Sequence, residues 1–237
     1  MFFDPLYWLI IGGGMVLSLW ASARTKGAFK KYSQYTTQSG MTGADVARAI
    51  MRDHGIADVA VEPIRGTLTD HYDPRKKVLR LSEGVFESRS MAAIGVAAHE
   101  VGHAIQHARG YAPLKFRSAW VPVANLGGGI SVFVLIIALV MGGAATALGG
   151  TLATVGVVLF ATTTAFTLIT LPVEFDASRR ALVTLRQGGY LTPDELEGSR
   201  TVLNAAAMTY VAAFITSLLT LLYWAYRLGL FGGSRRD

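Results

Sequence analysis

The sequence predicts an α-helical multi-pass membrane protein of about four spans, carrying a small α+β domain at the membrane surface. Three observations predict it. Of the 237 residues 51% are hydrophobic and only 16% charged, whereas roughly 25% of a typical soluble domain is charged. Four runs have the character of membrane spans: Leu6 to Ala21, short but rimmed by Tyr7, Trp8 and Trp20, and then Val121 to Leu148, Leu152 to Leu171 and Leu203 to Tyr226, none of which contains Asp, Glu, Lys or Arg. Between the first two runs lies a long polar stretch with helix and strand patterning of its own.

Taken in order, the first run ends in Ala21-Ser22-Ala23, which resembles a cleavage site. No positive charge precedes it and Arg24, Lys26, Lys30 and Lys31 follow it, so it reads as a retained anchor with its N-terminus outside. Residues 32–40 are rich in Ser, Thr, Gln and Tyr and read as a linker or a loop over the membrane surface. Thr42 can cap a helix whose Val46, Ala47, Ile50 and Met51 share one face, and His54-Gly55 closes it, with His54 as a cation near the last carbonyls. Val59 to Ile64 and Val78 to Leu81 read as short strands, with Asp70 to Arg75 as the turn region between them.

Ser88 or Ser90 caps the next helix, expected to run to about Arg109. The second and third apolar runs are joined by Gly149, Gly150 and Thr151, which predicts a tight hairpin there. Thr192-Pro193-Asp194-Glu195 is a capping box with proline in the first turn, and the helix it opens is expected to continue into the last run. Ala205, Thr209 and Ala213 then form a ridge of small residues suited to close helix packing. The chain thus divides into an anchor (6–21), a domain (22–120), a hairpin (121–172), a second polar segment (173–202) and a fourth helix (203–226).

If all four runs span, residues 22–120 and 173–202 share one side, and between them hold nineteen of the twenty-two Lys and Arg. That side is expected to be the cytoplasm. Arg227, Arg235 and Arg236 at the other end oppose this orientation. A pI near 9.7 is explained by this basic collar against anionic headgroups, so no nucleic-acid partner is expected. The absence of cysteine excludes disulfides and thiolate ligands.

The chemistry sits in Ala97-Ala98-His99-Glu100-Val101-Gly102-His103. Residues four apart on a helix project from one face, so His99 and His103 can offer two imidazole nitrogens to one zinc ion. Glu100 then lies beside the metal, where a carboxylate can take a proton from activated water and hand it to a leaving amine. With five His and seven Glu in the chain, chance would supply about 0.003 such matches. The bland alternative, an exposed helix that happens to carry two histidines, conflicts with the apolar flanks at 91–98 and 104–105. Ala92, Gly95, Val96, His99, Gly102 and His103 share a face, and the two glycines would let another backbone come close.

A catalytic zinc site wants three protein ligands and an open position. His107, Glu174 and His71 are the candidates. His107 lies eight residues beyond His99, about 12 Å along a helix, out of reach of the same ion. Glu174, in Leu171-Pro172-Val173-Glu174-Phe175-Asp176, falls on the same side of the membrane as His99 and close to the bilayer, where an unpaired carboxylate is costly. Its alternative partner is Arg179 or Arg180. Asp176 either holds a ligand histidine by its second nitrogen or pairs with an arginine. His71 either stabilises charge near a substrate, which could add to a free strand edge, or makes a loop hydrogen bond.

Taken together, Gly40-Met41-Thr42-Gly43-Ala44-Asp45-Val46-Ala47, the run Leu-Thr-Asp-His-Tyr-Asp-Pro-Arg at 68–75, the zinc motif extended through Gln106 and His107, residues 171–179 and the Ala-rich run from Ala205 resemble the YugP-like family of membrane zinc metallopeptidases. The resemblance covers nearly the whole chain, implies a bacterial membrane protease with a zincin-like catalytic domain, and makes Glu174 the third ligand. A more distant resemblance is to HtpX and the CAAX prenyl proteases, membrane gluzincins with a cytoplasm-facing site. Their second motif has an Asp four residues after the ligand Glu; here Ser178 stands at that position, so that supporting role is not carried over.

The expectation is a zinc-dependent endopeptidase of the cytoplasmic membrane, with one Zn2+ held by His99, His103 and Glu174, Glu100 as general base, and peptides or proteins, membrane proteins among them, as substrates. His71, His107 and Asp176 are candidates for supporting the ligands or the substrate. The rival is a membrane scaffold or adaptor with a structural metal and no turnover, against which an intact Glu100 argues. A small transporter is disfavoured by the scarcity of intramembrane charge.

Overall fold

The computed structural model describes residues 4–230, so Arg235 and Arg236, counted above against the orientation, lie outside the described residues. Helix α1 runs over Pro5–Tyr32, α2 over Gly43–Asp53, and three strands follow at Ala60–Ile64 (β1), His71–Asp73 (β2) and Val78–Ser82 (β3). Then come α3 (Glu83–Phe86), α4 (Met91–Ala108), α5 (Ala112–Val140), α6 (Ala147–Gln187) and α7 (Pro193–Arg227). Among the described residues four helices, α1, α5, α6 and α7, are long and apolar enough to cross a membrane.

The chain forms two compact units. One gathers the described parts of residues 1–19, 116–170 and 210–237. Its packing depends on small residues at helix contacts. A methyl added at Gly127 would meet the Leu159 carbonyl oxygen at 2.5 Å, and one at Gly14 would meet Thr216 Cγ2 at 2.4 Å. Leu135, Ala138, Ala153, Tyr223, Trp224 and Leu228 form its core, while Leu9, Phe133, Val140 and Val158 face outward.

The turn inside this unit differs from expectation. The chain reverses over residues 141–146, with a single 3-10 turn at Gly143–Ala145, and Gly149 and Gly150 already lie in α6. Gly142 and Gly143 supply the positive φ (92° and 55°) that the reversal needs. Thr146 stops it: its hydroxyl donates to the Met141 carbonyl and accepts from Gly149 N–H at 3.0 Å. Gly149 matters for proximity, since a Cβ there would lie 2.5 Å from the Gly143 oxygen.

The other unit comprises residues 20–115 and 171–209. Thr42 and Asp45 form a reciprocal capping box on α2, and His54 ends it, its Nδ1 lying 3.1 Å from the Ile50 oxygen. The sheet order is β1-β3-β2, with β1 parallel and β2 antiparallel to β3. Pro63 is tolerated because β1 is an edge strand. The stretch expected to be all turn, Asp70 to Arg75, contains β2 instead, in register Tyr72 with Leu79. The reversal comes afterwards, where Asp73 Oδ1 accepts from the N–H groups of Arg75 and Lys76 and Lys77 takes φ 50°. Ile50, Leu79, Leu81, Val85, Ile94, Val101 and Leu185 close the core around α4.

Candidate metal centre

Ser90 caps α4, its hydroxyl accepting from Ala93 N–H at 3.2 Å, and the helix ends at Ala108 with Arg109 as C-cap. The helix is almost wholly buried, which its small residues permit. At Gly102 a Cβ would meet the Ala177 carbonyl oxygen at 2.5 Å and the Ala177 Cα at 3.1 Å. The backbone of α6 therefore lies directly on α4 at the level of the histidines. This contact sets Glu174 and Ser178, one helical turn apart on α6, opposite His99 and His103, one turn apart on α4.

Nε2 of His99 lies 3.3 Å and Nε2 of His103 3.5 Å from Oε2 of Glu174, and one ligand atom from each of the three residues falls within 4.8 Å of the others. Ligands bound tetrahedrally to zinc at about 2.0–2.2 Å stand roughly 3.3–3.6 Å apart. The two imidazole-to-carboxylate spacings thus fit one such ion, and the donor set is of the type zinc accepts. Both histidines turn their other nitrogen away from the cluster. His99 Nδ1 lies 3.0 Å from Ser178 Oγ, and His103 Nδ1 lies 3.1 Å from Gln106 Oε1.

The electrostatics follow from burial among like and unlike charges. Burial opposes ionisation of Glu174, but the imidazoles of His103 and His99 set against its carboxylate outweigh it and hold the carboxyl well below the usual range. Burial likewise opposes charge on His103, yet Glu174 and then Glu100 push its affinity for a proton above the ordinary imidazole value. Glu100 is buried. That burial raises its pKa, with the histidines pulling the other way and the charges of Glu174 and Asp70 adding to the rise.

The remaining candidates stand apart from the cluster. His107 is engaged through Nδ1 with the Tyr72 hydroxyl at 2.8 Å. His71 makes the loop hydrogen bond, its Nδ1 lying 2.9 Å from the Thr69 carbonyl oxygen. Asp176 pairs with Arg179 and Arg180 and reaches a ligand histidine only through Gln106, which donates to its Oδ2 at 2.9 Å. Gln106 was not singled out from the sequence; Ser178 was, as the residue standing where the more distant families have a supporting Asp, and the role set aside for it there is corrected by its contact with His99 Nδ1. Gln106 carried a readable signal, a lone amide three residues after His103 on an otherwise apolar helix; Ser178 stands one turn after Glu174.

Residues 7–229 match the model of a family described as "putative neutral zinc metallopeptidase". The chain is 46% identical over 206 residues to "Putative membrane protease YugP" of Bacillus subtilis (strain 168), a match covering 87% of this chain and 89% of that protein. No solved structure matches.

Proposed function

We propose a function from an established premise: the chain belongs to the family described as "putative neutral zinc metallopeptidase". The reading is a membrane-embedded, zinc-dependent endopeptidase whose site faces the cytoplasm of a bacterial cell. It rests on one observation above all, the convergence of His99 Nε2, His103 Nε2 and Glu174 Oε2 at 3.3 and 3.5 Å beside a buried Glu100.

His99, His103 and Glu174 would hold one zinc ion per chain. Bound there, zinc supplies Lewis acidity, lowering the pKa of water to about 7 and polarising a scissile carbonyl. The protein's own groups do the rest. Glu100, its pKa raised by burial, accepts the proton of the attacking water and returns it to the departing amine. Ser178 and Gln106 stand against the outer nitrogens of the two imidazoles, whose Nε2 atoms face inward.

Residues 6–21, 121–148, 152–171 and 203–226 are the proposed spans. The outward-facing Leu9, Phe133, Val140 and Val158 make an apolar surface suited to lipid rather than water, and the relative's printed name, a membrane protease, agrees. Substrates are peptides or proteins, membrane proteins among them. The test is metal content and casein cleavage on the same detergent-purified sample. About one equivalent of zinc with cleavage abolished by a chelator is expected, and cleavage indifferent to zinc removal would sink the reading.

A further inference from the structure

Gln106 is completely buried and lies between His103 and Asp176. Its side-chain nitrogen donates to the Val173 carbonyl at 2.8 Å and to Asp176 Oδ2 at 2.9 Å. A carbonyl oxygen accepts and cannot donate, and the same holds for a carboxylate ion-paired with two arginines, as Asp176 is with Arg179 and Arg180. The amide nitrogen must therefore face these two groups, which turns Oε1 toward His103 Nδ1, 3.1 Å away. An amide oxygen only accepts. The proton on that contact belongs to His103 Nδ1, and Nε2 is the nitrogen left to bind a metal.

His99 is wired differently. Its Nδ1 partner is the Ser178 hydroxyl at 3.0 Å, and a hydroxyl both donates and accepts, so it imposes no direction. We infer that Gln106 is a positioning residue of the metal centre, which uses the ion-paired Asp176 as reference to lock His103 with its proton on Nδ1, making His103 the preset ligand and leaving His99 to adjust on metal binding. The inference rests on the metallopeptidase reading above. Arg179 and Arg180 belong to the same device, because they keep Asp176 an acceptor and so prevent the amide from turning over.

The experiment uses the full chain in detergent and reads zinc affinity by competition with a chromophoric chelator. Gln106→Leu removes the acceptor while keeping the bulk, and a ten- to hundred-fold loss of zinc affinity is expected. Nitrogen NMR of zinc-free wild type labelled with 15N at histidine, at a pH where the ring is neutral, reads the tautomer, with His103 identified as the signals lost in His103→Ala. A protonated Nδ1 and a bare Nε2 are expected for His103, which a role in packing alone would not impose. If wild type took up no zinc, the metallopeptidase reading would fail and the inference with it. If wild type bound zinc and Gln106→Leu bound it equally well, or if His103 carried its proton on Nε2, the inference alone would be overturned. Should Gln106→Leu fail to fold, the tautomer of His103 in wild type decides, a bare Nδ1 ruling the inference out.

Discussion

Gly102 of α4 and Ala177 of α6 touch backbone to backbone: a methyl at position 102 would stand 2.5 Å from the Ala177 carbonyl oxygen. No side-chain movement relieves such a contact, because the atoms in the way are main chain. Glu174 and Ser178 reach the two histidines only because the helices approach this closely.

Gly102→Ala should therefore separate α4 from α6, lowering stability by about 1–3 kcal/mol and abolishing zinc uptake although His99, His103 and Glu174 are intact. Gly84→Ala is the control, since a Cβ there meets nothing within 4 Å. Zinc content and unfolding midpoint of both variants check this, and wild-type zinc content in Gly102→Ala would refute the dependence on close approach.

Removing a ligand should differ sharply from removing a bystander. Glu174→Ala is expected to purify without zinc, while His107→Ala and His71→Ala keep about one equivalent, because His107 is engaged with Tyr72 and His71 with Thr69. Elemental analysis of the three proteins decides, and zinc retained in Glu174→Ala would send the search for the third ligand elsewhere.

Glu100→Gln keeps the shape of the side chain and loses its basicity. Cleavage should fall by about 10²–10⁴-fold, the range that general base catalysis contributes, with zinc content unchanged. Rates for wild type and variant on one peptide measure this directly, and equal rates would remove Glu100 from the chemistry.

Asp70 predicts a pH dependence of stability separate from the ligands. Burial raises its pKa from 3.8, against hydrogen bonds from the Ser82 N–H and hydroxyl. A carboxyl with a raised folded-state pKa contributes stability that is complete below the unfolded value of 3.8 and is lost as pH climbs through the folded value. Asp70→Asn keeps an acceptor for Ser82 but no charge. Thermal unfolding of both proteins from acid toward neutral pH should show the variant gaining on wild type as pH rises, and a constant difference would contradict the assignment.

Much of the local architecture was legible in the amino acids. Capping of α2 by Thr42 and of α4 by Ser90 and the start of α7 at Pro193 follow from rules acting over one to four residues. Local reading failed where neighbours in space competed with neighbours in sequence. Asp70 to Arg75 has the composition of a turn, yet β3 offers its middle residues a ladder, so β2 forms and the turn moves to Lys77. Glycines 149 and 150 look like a hairpin, but glycine also serves where backbones crowd, and Gly142 and Gly143 make the turn instead.

The sequence by itself determined the two histidines and the glutamate between them, because their spacing is a property of one helix and needs no tertiary partner. Glu174 was narrowed to from burial cost and resemblance, and only the packing of α6 on α4 brought its Oε2 within 3.5 Å of both rings. Of the partners of those rings, Gln106 lies three residues from His103 on the same helix, whereas Ser178 came only with the tertiary structure. Which nitrogen a histidine turns inward depends on what faces its other nitrogen, and for His99 that group comes from a residue 79 positions away.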